Sequence, residues 1–454
     1  MSMIIVPNKS KPTSPRLMLF PDTTRVETGG TGEALSIAGC ELASLAEHYG
    51  TPLYLYDRAT LDATVTTYQQ TLAEYPAENG ITFAGKAFLC TALAQWTQQH
   101  DLWLDCSSQG ELAVASAAGV SRTHLLVHGV NKSLVDLQIA LIQAGTLVID
   151  NQHELEHLVM LAPQNTGPLP DLWLRYRPGV VVNTHTHTLT GQEASKFGMN
   201  RDEIYKATHI CQTNDLPLKG LHFHLGSNFH NLEPVGIAVD QALELVKEIN
   251  LGDQWILCPG GGCGVAYHED EIRSMLHPTI ESYTRFIVDH IVVGCKRLGL
   301  ALPRLQLEPG RSLIARAGVA LYRVGAIKHT SQRTWVLLDG GLADNPRPAL
   351  YQARYTALPV SKPNRETTSR VWMGGPYCES GDVLIEDLPF PEVQPGELIA
   401  IPVSGAYQLS MASNYNGAYR PAVLWLEAGE AHLIQARENS WDLLHRDRPL
   451  PVIN

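Results

Sequence analysis

The sequence predicts an α/β chain: a (β/α)8 TIM barrel followed by a C-terminal β domain. Two observations point there. Between about residues 80 and 312, eight short apolar runs recur, each ending in a polar or glycine-rich signature and usually followed by a helix-like stretch. After about residue 312 the helical periodicity fades, and short strands alternate with Gly and Pro turns.

In chain order, residues 1–16, rich in Pro, Ser and Lys, read as a flexible tail; their apolar run, Met3 to Val6, has no cationic segment before it and is not expected to act as a signal peptide. Residues 17–56, including TPLYLYD, read as strands that pack with the β domain. The barrel is expected over 57–311. Its runs are ITFAGKA (81–87), LWLDCSS (102–108), HLLVHG (124–129), LVIDN (147–151), LWLRYRP (172–178), LKGLHFHLG (218–226), WILCPGGG (255–262) and LQLEPGR (305–311). Continuous apolar runs suit parallel strands buried on both faces. Amphipathic stretches such as 134–145 and 234–249 supply the helices between them. Eight such units match a barrel of ~250 residues. Residues 312–454 form the expected β domain, with WVLLDGG, RVWMGGP, ELIAIPVSGAY and PAVLWLEAGEAHLIQ as its strands.

The 454 residues carry a formal net charge of -12, which argues against nucleic acid and anionic membranes as partners. No run reaches the length of a membrane span. The eight cysteines show no CxxC spacing and read as reduced thiols, so a cytoplasmic location is expected.

The runs end near Lys86, Asp105, His128, Asp150, Arg175, His224, the glycines 260–262 and Glu308. The C-terminal ends of barrel strands are where such folds keep their chemistry. Lys86, flanked by Gly and Ala in an apolar strand, is expected to be partly desolvated, with a lowered pKa that frees its amine for a Schiff base; alone, it also fits a rim lysine reaching solvent. His222 and His224 form an HxH pair, the spacing of a metal-ligand pair; one of these rings could instead stack on an aromatic cofactor, and His222 reads best as a core histidine. Gly260, Gly261 and Gly262 suit an anion-binding loop or a tight turn. Glu308 suits a pyridine nitrogen and Arg311 a carboxylate, unless the two pair internally. The β region adds DGGLADNPRPALY (339–351), GPYCESGD (375–382) and GAYQLSMASNYN (405–416).

Taken in order, FAGKAF, HFHLGS, GGG, EPGRS, DNPRPALY, CESGD and GAYQLSMASNYN resemble the signatures of fold-type III pyridoxal-phosphate decarboxylases, most closely the bacterial branch acting on diaminopimelate. The resemblance implies an alanine-racemase-type barrel, pyridoxal 5'-phosphate as cofactor, and a homodimer whose active site is shared across the interface. It implies that Lys86 holds the cofactor and His224 stacks on it. Ser227, Gly260, Gly261, Gly262 and Tyr415 would contact the phosphate, and Glu308 the ring nitrogen. Arg311, Arg347 and Tyr351 would bind the distal carboxylate of the substrate, with Arg311 and Tyr415 serving both cofactor and substrate. Cys378 would reprotonate the α-carbon and Glu379 bind the distal ammonium, both reaching in from the other subunit. The implied reaction converts meso-2,6-diaminopimelate to L-lysine and carbon dioxide, the last step of lysine biosynthesis. Cys263, Pro259, Gln109 and Phe88 depart from the commonest pattern, and none of them removes a catalytic group. A siderophore-type decarboxylase, a metal-dependent barrel hydrolase using His222 and His224, and a non-catalytic regulatory homologue are the competing readings.

Overall fold

The computed structural model describes residues 15–29, 32–180 and 192–451. Most of the expected tail lies outside them, but its last residue, Arg16, donates to Glu269 at 2.7 Å and to the Pro389 carbonyl. Three strands, β1 (Arg25–Gly29), β2 (Gly32–Ile37) and β3 (Cys40–Glu41), form a small antiparallel sheet. Strand β4 (Leu53–Asp57) follows, fully buried. Asp57 ends it and caps the next helix, Arg58–Leu72, by accepting from the Thr60 N–H.

Eight parallel strands then close a barrel: β5 (Asn79–Ala84), β6 (Trp103–Cys106), β7 (Leu125–Val127), β8 (Thr146–Ile149), β9 (Asp171–Arg175), β10 (Leu218–His222), β11 (Ile256–Gly260) and β12 (Arg304–Leu307). They occur in all eight expected runs, and β12 closes on β5 with Leu305 opposite Asn79. Helices cover the outside. Two stand where amphipathic stretches predict them, Leu134–Gln143 behind a Ser133–Asp136 capping box and Glu233–Ile249.

The barrel interior is filled below and open above. Trp173, Val148, Leu126, Ile256 and Cys258 form a buried plug, with Trp103 stacked on Trp173 at 6.2 Å. Gly220 on β10 makes room for it: a Cβ there would lie 2.8 Å from the Trp173 ring. Bulk at the N-terminal end leaves the polar strand ends to line a cavity at the other.

After β12 the chain enters a second sheet through β13 (Gly318–His329). The further strands are β14 (Thr334–Leu338), β15 (Leu358–Pro359), β16 (Ser369–Gly374), β17 (Val383–Phe390), β18 (Leu398–Pro402), β19 (Ala422–Glu427) and β20 (Glu430–Gln435). Strand β4, from before the barrel, sits in the middle of this sheet, antiparallel to β13 and parallel to β19. The chain thus passes from sheet to barrel after β4 and back before β13, which holds the sheet against the barrel mouth. There Tyr56 donates to the Gly405 carbonyl at 2.7 Å, and the Tyr407 N–H donates to the Ala87 carbonyl at 2.8 Å. Among the described residues no helix is long and apolar enough to cross a membrane.

Candidate active site

The open end of the barrel holds a cavity of ≈ 670 Å³ lined by Lys86, His128, Arg175, His222, His224, Ser227, Tyr267, Glu308, Arg311, Arg347, Tyr351 and Tyr407, among others. Lys86 stands in the turn after β5, its Nζ 3.8 Å from Asp105 Oδ2 at the end of β6. Its side chain is 47% accessible and lines this cavity. Burial pushes the ammonium down, as the sequence leads one to expect, yet Asp105, Tyr407 and Glu308 outweigh it, and the pKa stands above its ordinary value. The expectation of a lowered lysine is corrected on that ground: the strand ends that bury Lys86 also surround it with acids. Neither oxygen of Asp105 has a hydrogen-bond partner among the described residues, and burial pushes its own pKa up.

Glu308, just beyond β12, is 6% exposed. Its Oε1 lies 3.0 Å from His128 Nε2 and its Oε2 lies 2.9 Å from His222 Nε2. Burial favours the protonated acid, but His222 and His128 reverse this and hold the carboxyl well below its usual range. His222, which the sequence favours as a core histidine, is buried and hydrogen-bonded to Glu308, and it also lines the cavity. His224 turns elsewhere: its Nδ1 accepts from the Gly261 N–H at 3.3 Å. Burial, then the charges of Lys86 and Arg175, hold it neutral, with a pKa well below the ordinary value. A shared metal pair is thus replaced by two rings with separate partners. His128, His222 and Glu308 bring one ligand-type atom each within 4.8 Å of one another, and hydrogen bonds account for that spacing.

A side recess of ≈ 20 Å³ opens between Gly262, Gly310, Ser227, Arg311, Ser312 and Tyr407. Gly261, the neighbour of Gly262, admits no side chain, since a Cβ would meet the Glu308 carbonyl at 2.2 Å. Arg311 reaches Ser227 Oγ through Nε and Nη2, both at 3.1 Å, and Tyr267 through Nη1 at 2.6 Å. Its guanidinium also lies 4.7 Å from the centre of the Tyr407 ring. Tyr407 has φ 60, a left-handed conformation for a bulky residue, held by its bond to Ala87.

Arg347 begins the short helix Arg347–Tyr351. Its guanidinium packs 4.5 Å from the Tyr267 ring centre and donates to the Tyr355 hydroxyl. Both arginines thus contact one tyrosine in the cavity wall. Cys378, Glu379 and Tyr415 are absent from the cavity wall. They lie on the β-domain side, where Cys378 is exposed and Tyr415 Oη is 3.4 Å from Glu379 Oε2. The other seven cysteines are buried, and all eight are free thiols.

These residues suit pyridoxal phosphate. An amine and a buried ionised carboxylate face one cavity, a neutral imidazole lies beside them, and a recess lined by glycines, an arginine and a serine offers donors to an anion. Sequence reasoning gave no role to Tyr267, whose only sequence signal is its place shortly after the glycines. Asp105, His128 and Arg175 were visible as strand ends but not as partners of other residues.

Comparison with known proteins agrees with the geometry. A family model described as the pyridoxal binding domain of pyridoxal-dependent decarboxylases matches residues 58–315. The chain is 38% identical over 423 residues to the diaminopimelate decarboxylase of Bacillus subtilis (strain 168), covering 91% of this chain and 95% of that protein. It is 36% identical over 450 residues to that of a Synechocystis species, covering 96% and 94%. A solved diaminopimelate decarboxylase from Helicobacter pylori, complexed with L-lysine, superposes with a TM-score of 0.80 at 28% identity, covering 89% of this chain and 98% of that one.

Proposed function

The chain belongs to the pyridoxal-dependent decarboxylases, and from this we infer that it converts meso-2,6-diaminopimelate to L-lysine and carbon dioxide, the last step of lysine biosynthesis. The observation that carries the reading is one cavity holding Lys86 and Glu308 together with a pair of arginines. When bound, pyridoxal 5'-phosphate supplies the electron sink for the pair released as the carboxylate departs.

The chain's own residues do the rest. Lys86 is the residue to hold the cofactor, and Asp105 Oδ2 is the nearest acid to exchange a proton with its amine. Ser227, Arg311 and the loop Gly260–Gly262 would hold the phosphate, and Glu308 would keep a proton on the ring nitrogen. Tyr407, pinned beside Arg311 at the recess, joins this group; Tyr415 stands farther out, beside Glu379.

Arg311 and Arg347 define the substrate class. Ornithine and lysine end in an ammonium alone and would leave two guanidinium groups facing a terminus with no carboxylate. A second amino-acid head supplies that carboxylate, and Glu379 supplies a partner for its ammonium. Glu379 and the proton donor Cys378 stand outside the wall of the cavity on their own chain. A homodimer in which each subunit lends this loop to the other completes the site. On this reading residues 57–311 bind the cofactor, 312–454 carry the lent loop, 17–56 support it, and the enzyme works in the cytoplasm.

The test is carbon dioxide release from meso-diaminopimelate, with ornithine, arginine and lysine as controls, and borohydride reduction of the resting protein followed by peptide mapping. We expect release from diaminopimelate above all others and a reduced adduct on Lys86. An adduct on another lysine, or preference for ornithine, would overturn the assignment.

A further inference from the structure

We propose that His128 and His222 act as positioning residues, a two-sided clamp that holds the Glu308 carboxylate in one orientation and keeps it available as the acceptor for the ring nitrogen of the cofactor. This rests on the functional reading above and extends it to two residues to which that reading gives no role.

The geometry is that of a clamp. The histidines come from separate strands, His128 from just beyond β7 and His222 from the end of β10, and each takes a different oxygen of the same carboxylate at 3.0 and 2.9 Å. Their rings lie 4.6 Å apart at 59°, so neither lies in the plane of the other. Two donors on two oxygens fix the rotation of the carboxylate as well as its place. Each oxygen keeps a second lone pair for another donor.

The proton positions follow from burial. His222 Nδ1 is buried and has no hydrogen-bond partner among the described residues. A proton there would have no acceptor, so the single proton of the neutral ring sits on Nε2 and points at Glu308. Burial lowers the pKa of both histidines against the raising pull of Glu308, and each meets the carboxylate through Nε2. Glu308 is also faced by Lys86, Asp105, His224 and Cys258, so several charges act on it besides the clamp. The two histidines are the partners that touch its oxygens and oppose the desolvation that would otherwise protonate it.

The test is a double-mutant cycle read on cofactor binding as well as turnover. His222→Leu, His128→Leu, Glu308→Gln and the combinations His222→Leu/Glu308→Gln and His128→Leu/Glu308→Gln are stripped of cofactor and titrated with pyridoxal 5'-phosphate. Each leucine variant should weaken binding roughly tenfold, the scale of one hydrogen bond to a charged group. It should also move the acid limb of the kcat profile up by about one pH unit, because an unclamped Glu308 takes a proton at higher pH. On the Glu308→Gln background the same leucine substitutions should add little, since they act through the carboxylate. His222→Gln and His128→Gln, which keep an N–H donor, should recover most of the loss and serve where a leucine variant does not fold. Full additivity on the Glu308→Gln background, glutamine variants as impaired as leucine ones, or an unmoved acid limb would each overturn the clamp. A wild-type protein that retains no pyridoxal 5'-phosphate would overturn the functional reading, and this one with it. A yellow, active wild type matched by its histidine variants would overturn the clamp alone.

Discussion

At the scale of single residues, the proposed function assigns selectivity to Arg347. Its guanidinium lies against Tyr267 and donates to Tyr355, while Arg311 donates to the Tyr267 hydroxyl. Arg347→Ala should raise KM for diaminopimelate by a factor equivalent to on the order of 2 to 4 kcal/mol, while the absorbance of bound cofactor stays intact. Arg347→Lys should recover only part of this, because an ammonium lacks the planar fork that a carboxylate matches. Steady-state kinetics beside a cofactor spectrum separate the two effects, and an unchanged KM would remove Arg347 from the site. Much at this scale was legible in the sequence. Lys86, His224, Glu308, Arg311, Arg347 and Tyr351 all line one cavity. The electrostatics were not legible, because they depend on which strand ends face each other. Nothing local to FAGKAF says that Asp105 stands 3.8 Å from the lysine, nor does LHFHLGS say that its two histidines turn to different partners.

At the scale of elements, the site depends on how the second sheet is fixed to the barrel mouth. Asp344, in the loop leading to Arg347, accepts from Tyr322 on β13 and from Tyr54 on β4, and so ties two central strands to that loop. Burial pushes its carboxyl up to about 6, against hydrogen bonds from Tyr322, the Gly341 N–H and Tyr54 that pull it down. The folded protein therefore holds this proton where the unfolded chain, near pKa 3.8, has lost it. The contribution to stability is full below about pH 4 and is lost as pH rises through about 6. Measured against Asp344→Asn by chemical denaturation, wild-type stability should fall by on the order of 2 to 3 kcal/mol over that window and then level off. A flat difference across the window would mean that Asp344 titrates as an exposed carboxyl does. The barrel strands were readable because strands covered on both faces are written as unbroken apolar runs. The sheet was readable as strands but not as an order. That β4 pairs with β13 and β19 joins segments more than 260 residues apart, and pairing of that kind leaves no periodicity in a sequence. The departure at Phe88 has its reason at this scale as well: its ring stacks on Tyr56 of β4 at 5.2 Å, part of the seam between sheet and barrel.

At the scale of the whole molecule, the proposed homodimer raises the question of which subunit would supply Cys378. Lys86 lies deep in the barrel mouth, while Cys378 is exposed on a β-domain loop beside Glu379, and neither Cys378 nor Glu379 reaches the cavity wall of its own chain. If the loop is lent across a two-fold interface, each site draws Lys86 from one subunit and Cys378 from the other. Lys86→Ala and Cys378→Ala proteins should then each be inactive, and subunit exchange between them should restore activity. In a hybrid dimer one site receives both substitutions and the other receives neither. Equal mixing makes about half the dimers hybrid, each with one intact site of two, so activity should recover to about a quarter of wild type. Mass labelling of one partner shows whether exchange has occurred. Confirmed exchange with activity still at the background of the single variants would mean that both residues serve the same subunit. The loop 375–382 would then have to fold inward on its own chain, carrying Glu379 away from Tyr415, and the arginine end of the cavity would be completed from within.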